Sequence, residues 1–268
     1  MNQIYFKRSA IHNLVITSCR NEFKKDEVSE GLVIPKSILK KSDILPWEQI
    51  TVTKISGGNW NNRIKTFVLE GDDNGEIEAR GSLASFLTVG DLTCLISRTI
   101  LDQRFLNLYK NNQLPIFDLG FDPEKKENLA ELGRLDIEHS EEKQRDVKQF
   151  DGFALERNEL PRIMLSSLVL SLEVNKTHPD CLQGSAELPR EIMNAANLNR
   201  YQSVSVYNRT KGGIADTYAV PMPAGVIMTT GAMATFAGIG EAVNIASYKI
   251  STDKISPEII FTDGTKLA

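Results

Sequence analysis

The stretches GSLASFLTVGDLTCLISRTI (residues 81–100) and GAMATFAGIGEAVNIASYKI (residues 231–250) align without a gap at an offset of 150. Gly, Ala, Phe, Gly, Ser and Ile coincide, and Leu83/Met233, Ser85/Thr235, Val89/Ile239 and Asp91/Glu241 are conservative pairs. An offset that long is too great for a solenoid repeat and reads as duplication of a whole domain. Upstream the match continues, with VIPKSILKKSDI (33–44) over ELPREIMNAANL (187–198) and QITVT (49–53) over SVSVY (203–207). RIKTF (63–67) lies over IADTY (214–218) once residues 60–62 count as an insertion in the first copy.

Within the first copy, short apolar runs at 12–17, 50–55, 65–69 and 92–97 are punctuated by Gly and Asn, and one short helix is expected near 35–41. The pattern predicts a compact barrel of mixed strands. The expected boundaries are a first barrel at 1–110, a linker at 111–160 rich in Lys, Glu, Asp and Arg, and a second barrel at 161–256.

Hydrophobic content of 41% with 25% charged residues fits a folded globular chain rather than a disordered one. A net charge of −4 supplies no general attraction for nucleic acid or an anionic membrane, so neither is expected as a partner. The uncharged run 219–240 holds Pro221, Pro223 and four glycines, which suits buried strands and turns better than a spanning helix. Cys19, Cys94 and Cys181 form no CxxC pair, which argues against a disulfide framework or structural zinc. No secretory signal is visible near Met1, and a cytoplasmic location with no metal is the expectation.

Three segments of the second copy, QGSAELPREIMNAANL (183–198), ADTYAVPM (215–222) and MTTGAMATFAGIGEAVNIASY (228–248), resemble the pyruvoyl-dependent aspartate 1-decarboxylase family in order and approximate spacing. The resemblance implies a mainly β fold of two tandem double-psi β-barrel domains with short helices. It also implies self-cleavage at Gly184–Ser185, with the Ser185 hydroxyl attacking the Gly184 carbonyl and a pyruvoyl group left at Ser185. Thr217 matches the family threonine that hydrogen-bonds the attacked carbonyl, and Tyr218 the tyrosine that protonates the substrate carbanion. Thr230, Gly231 and Ala232 fall at substrate-binding positions. Outside this context Ser185 reads as a turn or cap residue before the Pro189 helix.

The copies depart from the family in complementary ways. In the second, the family arginine is Ile214, the early Lys-x-His is Leu168 and Leu170, and Thr230 replaces an asparagine. In the first, Arg63 and His12 fall on the family arginine and histidine, whereas Gly31 stands at the serine position, Phe67 at the tyrosine and Ala10 at the lysine. Lys7 and Arg8 lie near enough in sequence for one to replace that lysine. The expectation is therefore an α-decarboxylase of aspartate or a related small amino acid, with Arg63 of a first-type barrel facing the pyruvoyl group of a second-type barrel. Two chains would form a pseudo-tetramer, with or without a maturation factor. The competing expectation is a non-catalytic tandem-barrel scaffold.

Overall fold

The computed structural model describes residues 3–56, 63–73, 75–102, 117–120, 133–134 and 160–268. Its first half contains β1 (Gln3–Val15), β2 (Ser18–Arg20), β3 (Gly31–Pro35), α1 (Lys36–Ser42), β4 (Gln49–Lys54), β5 (Arg63–Gly71), β6 (Glu78–Arg80), α2 (Ser82–Phe86) and β7 (Leu92–Asp102). Two short strands follow, β8 (Phe117–Gly120) and β9 (Gly133–Arg134). The second half contains β10 (Arg162–Glu173), β11 (Lys176–His178), β12 (Ser185–Pro189), α3 (Arg190–Ala195), β13 (Ser203–Asn208), β14 (Ile214–Met222), β15 (Met228–Thr230), α4 (Ala232–Phe236), β16 (Ala242–Ser251) and β17 (Glu258–Gly264).

The protein is thus mainly β, with two barrel-like sheets and a few short helices. Their strand orders are β2-β6-β3-β5-β4-β7-β1-β8-β9 and β11-β15-β12-β14-β13-β16-β10-β17. The register repeats between the two halves at equivalent residues. β3 runs parallel to β5 with Leu32 opposite Val68, as β12 runs parallel to β14 with Ala186 opposite Ala219. Gly31 faces Arg80 in the antiparallel β3–β6 pair, and Ser185 faces Thr230 in β12–β15. Register shifts also recur, at Lys7/Ser9 in β1 and Leu165/Ser167 in β10. Most of the segment expected as a linker lies outside the described residues. Within it, β8 pairs in parallel with β1, as β17 does with β10.

Period-two alternation builds each barrel's interior: Ile50 and Val52 of β4 point into one core and Val204 and Val206 of β13 into the other. The conservative pair Asp91/Glu241 closes the same turn twice, the carboxylates accepting from Thr88 N (2.8 Å) and Gly238 N (3.1 Å). Gly81 and Gly231 precede α2 and α4 at φ +58° and +51°. A Cβ there would approach Ser29 O to 2.2 Å and Cys181 O to 2.6 Å, so only glycine fits.

A third core joins the barrels: Phe67 and Leu69 of the first meet Leu165, Leu168, Leu170, Tyr207 and Ala246 of the second. Beside it, Arg8 and Arg162, both buried, each donate to the Asp43 carbonyl (2.7 Å) and to the buried Glu48 carboxylate (3.5 and 2.9 Å). Asp43 sits in the left-handed region at the end of α1 (φ 51°), which leaves that carbonyl outside the helix ladder. Arg8 is therefore committed to the interface, and cannot stand in for a site lysine as its sequence position suggested.

Candidate active site

Ser185 begins β12 and is 8% exposed, facing Thr230 of β15, which is 2% exposed. The facing register brings Thr230 Oγ1 to 2.8 Å from Ser185 Oγ, where it also accepts from Ser185 N–H at 3.0 Å. The same hydroxyl donates to Gln183 O at 2.9 Å. Along its own strand, Ser185 Oγ donates to Glu187 Oε1 at 3.2 Å.

Alternation along β14 turns Thr217 inward and Tyr218 outward. Thr217 Oγ1 donates to the Gly184 carbonyl at 2.8 Å. A nucleophilic hydroxyl and a carbonyl already polarised by a hydroxyl donor thus meet at one peptide bond, the arrangement required for internal acyl transfer. Gly231 follows β15, and the amide nitrogens of Ala232 and Met233 stand 3.6 and 3.5 Å from where a Cβ on Gly184 would lie. Thr217, Thr230, Gly231 and Ala232 therefore converge on the segment Gln183–Ser185. Tyr218 is 55% exposed beside them on β14.

Arg63 and His12 are not members of this hydrogen-bond cluster. Arg63 is exposed at the start of β5, where it lines a cleft of about 330 Å³ with Phe86 of its own barrel and Gly213, Ile214 and Asp216 of the other. His12 is half-buried on β1, its Nδ1 3.3 Å from Cys94 Sγ. Sequence reasoning missed Glu187, whose signal is an acidic residue two positions beyond the Gly-Ser pair, and Cys94, the partner of His12.

The first barrel displays the same place without the chemistry. A Cβ on Gly31 would come within 2.9 Å of Phe67 Cε2, so the Phe67 ring occupies the space of a serine side chain. Phe67 is fully buried, with its ring edge-on to Tyr207 at 6.4 Å. Glu30, the residue before Gly31, is also fully buried and accepts from Ser82 N–H (3.1 Å), Ser82 Oγ–H (2.8 Å) and Asn244 Nδ2 (3.1 Å). Burial outweighs those donors and pushes its carboxyl up to about 7. Thr66, the counterpart of Thr217, keeps a buried hydroxyl with no hydrogen-bond partner among the described residues.

Among the described residues no helix is long and apolar enough to cross a membrane, and no group of three or more His, Cys, Asp or Glu is placed to hold a metal ion. Comparison with known proteins agrees with the register. An aspartate 1-decarboxylase of Syntrophobacter fumaroxidans is 30% identical over 111 residues, covering 39% of this chain and 89% of the relative. One from Thermoanaerobacter pseudethanolicus is 29% identical over 109 residues (40% and 86%), and one from Moorella thermoacetica 32% over 108 residues (38% and 84%). Each is about one barrel's worth of sequence. The family model described as aspartate decarboxylase matches twice, at residues 2–115 and 160–267, and the chain belongs to that family as a tandem duplicate.

Proposed function

We propose that this chain is a self-processing, pyruvoyl-dependent α-decarboxylase of aspartate or a related small amino acid, cleaved at Gly184–Ser185. Family membership makes it a carbon–carbon lyase of the decarboxylase class. The observation that carries the reading is the Thr217 Oγ1 to Gly184 O hydrogen bond at 2.8 Å, on the same peptide whose nitrogen belongs to a buried serine. These residues fit the precursor of a pyruvoyl group, since nucleophile, carbonyl and oxyanion donor are all supplied by the chain. Once formed, the group supplies a ketone that takes up a substrate amine and accepts the electrons released with carbon dioxide.

The substrate site lies between the barrels. Lys65 and Asp216 hold equivalent positions in the two copies and bond to each other at 2.6 Å where the barrels meet. By alignment of the two copies, the sealed face formed by Gly31, Phe67, Leu168, Leu170, Tyr207 and Ile214 corresponds to positions Ser185, Tyr218, Ala10, His12, Thr53 and Arg63. The first face is filled by apolar packing, whereas Tyr218 remains exposed where Phe67 is buried. Arg63 then binds a substrate carboxylate through its guanidinium fork, and His12 donates beside it. The Tyr218 hydroxyl holds the proton returned to the substrate carbon. Two such chains, four barrels in all, form the assembly.

The test is carbon dioxide release across the amino acids by purified, processed protein, with Arg63→Ala and Tyr218→Phe as controls. Loss of activity in both supports the shared site. Full activity in both rejects it.

A further inference from the structure

Thr230, expected at a substrate-binding position, and Glu187, which has no role assigned above, both contact the serine itself. Thr230 Oγ1 reaches both atoms that exchange a proton when a serine peptide rearranges: Ser185 Oγ at 2.8 Å and Ser185 N at 3.0 Å. Glu187 is half-buried with a carboxylate oxygen 3.2 Å from Ser185 Oγ. The counterparts in the first barrel, Arg80 facing Gly31 and Val33 two residues along β3, retain neither group. The acid and the hydroxyl accompany the serine and are missing where the serine is missing.

We infer that Thr230 is the proton relay, and Glu187 the base, of cleavage at Gly184–Ser185; this rests on the processing proposed above. In the first step Ser185 Oγ bonds to the Gly184 carbonyl carbon while Thr217 holds the carbonyl oxygen. The Ser185 hydroxyl turns from Glu187 to Thr230 and passes its proton to Thr230 Oγ1, while the Thr230 hydroxyl turns from Gln183 O and passes its own proton to Ser185 N as the Gly184 C–N bond breaks. The products are an ester and a free amine, with Thr230 restored. An alcohol in contact with both atoms makes this exchange without charge separation, which favours a buried site.

In the second step Glu187 takes the Ser185 Cα proton. The electron pair forms Cα=Cβ, and Cβ–Oγ breaks, releasing Gly184 as a carboxylate. Water then replaces the amine of the resulting dehydroalanine with a ketone, liberating ammonia, and Glu187 returns its proton to solvent. A carboxylate against the side chain of the residue to be deprotonated removes the need for an external base.

The two roles give different arrest points, read by electrophoresis and intact mass with and without neutral hydroxylamine, which cuts esters; the alkaline conditions under which it also cleaves the Asn74–Gly75 peptide are avoided. Thr230→Val slows ester formation by about a hundredfold or more and leaves a chain resistant to hydroxylamine, whereas Thr230→Ser retains cleavage. Glu187→Gln accumulates the ester, which hydroxylamine splits after Gly184. Circular dichroism of each uncleaved variant confirms that the barrels are folded. If both Thr230→Val and Glu187→Gln mature at the wild-type rate, the relay and base are wrong while the processing reading stands. A wild-type chain that stays whole in hydroxylamine removes both.

Discussion

Replacing Glu30 by Gln is predicted to improve stability relative to the wild-type protein as pH rises from acid to alkaline. The carboxyl is raised from 4.5 to about 7 because burial outweighs its hydrogen bonds to Ser82 and Asn244. A raised carboxyl binds its proton more tightly in the folded than in the unfolded chain. Its contribution is fully present below about pH 4.5 and is lost as pH rises through about 7. Two and a half units correspond to about 3 kcal/mol. Glutamine preserves the geometry, its carbonyl taking the oxygen that receives Ser82 Oγ–H and Asn244 Nδ2. Its amide then takes the oxygen that meets only Ser82 N–H, a donor facing a donor, and the cost of that contact is the same at every pH. Urea unfolding of both proteins at about pH 5 and about pH 8 isolates the effect, since other titrating groups cancel in the difference. A variant-minus-wild-type difference that does not change between those two pH values would refute the assignment of Glu30 as the buried acid.

Thr66→Val removes a buried hydroxyl with no partner among the described residues, so it should raise stability by about 1 kcal/mol in the same unfolding assay. Glu48→Gln strips the negative charge that lies between buried Arg8 and Arg162. It should cost about 3–5 kcal/mol, seen as a lowered urea midpoint. Thr217→Val deletes the donor to the Gly184 carbonyl, and processing followed by electrophoresis should slow by roughly a hundredfold or more.

The duplication was legible because the features that repeat are backbone requirements. Gly81 and Gly231 occupy a conformation closed to other residues, and Asp91 and Glu241 close the same turn, so those positions cannot drift. Ser185 and Thr217 were legible through the family resemblance, and the contact of Thr217 with Gly184 across 33 residues of sequence separation follows from β12 lying beside β14. The sealed first face was only half legible. Gly31 and Phe67 could be assigned by alignment, but that Phe67 fills the serine's space against Leu168, Leu170 and Tyr207 depends on packing between barrels, which no local pattern encodes. Arg8 shows the same limit. In sequence it is a cation near a lost lysine, yet the left-handed turn at Asp43 and the burial of Glu48 turn it into an interface group. Glu30 and Asn244, 214 residues apart, meet only once both barrels are docked.

Cleavage at Gly184–Ser185 is tested most directly by the intact mass of the purified chain after incubation with an aminooxy reagent. Two fragments are expected, residues 1–184 and 185–268, with the second alone carrying a ketone adduct at its amino end. A single chain of full mass, unlabelled and still bearing an unmodified serine at position 185 after prolonged warming, would contradict it.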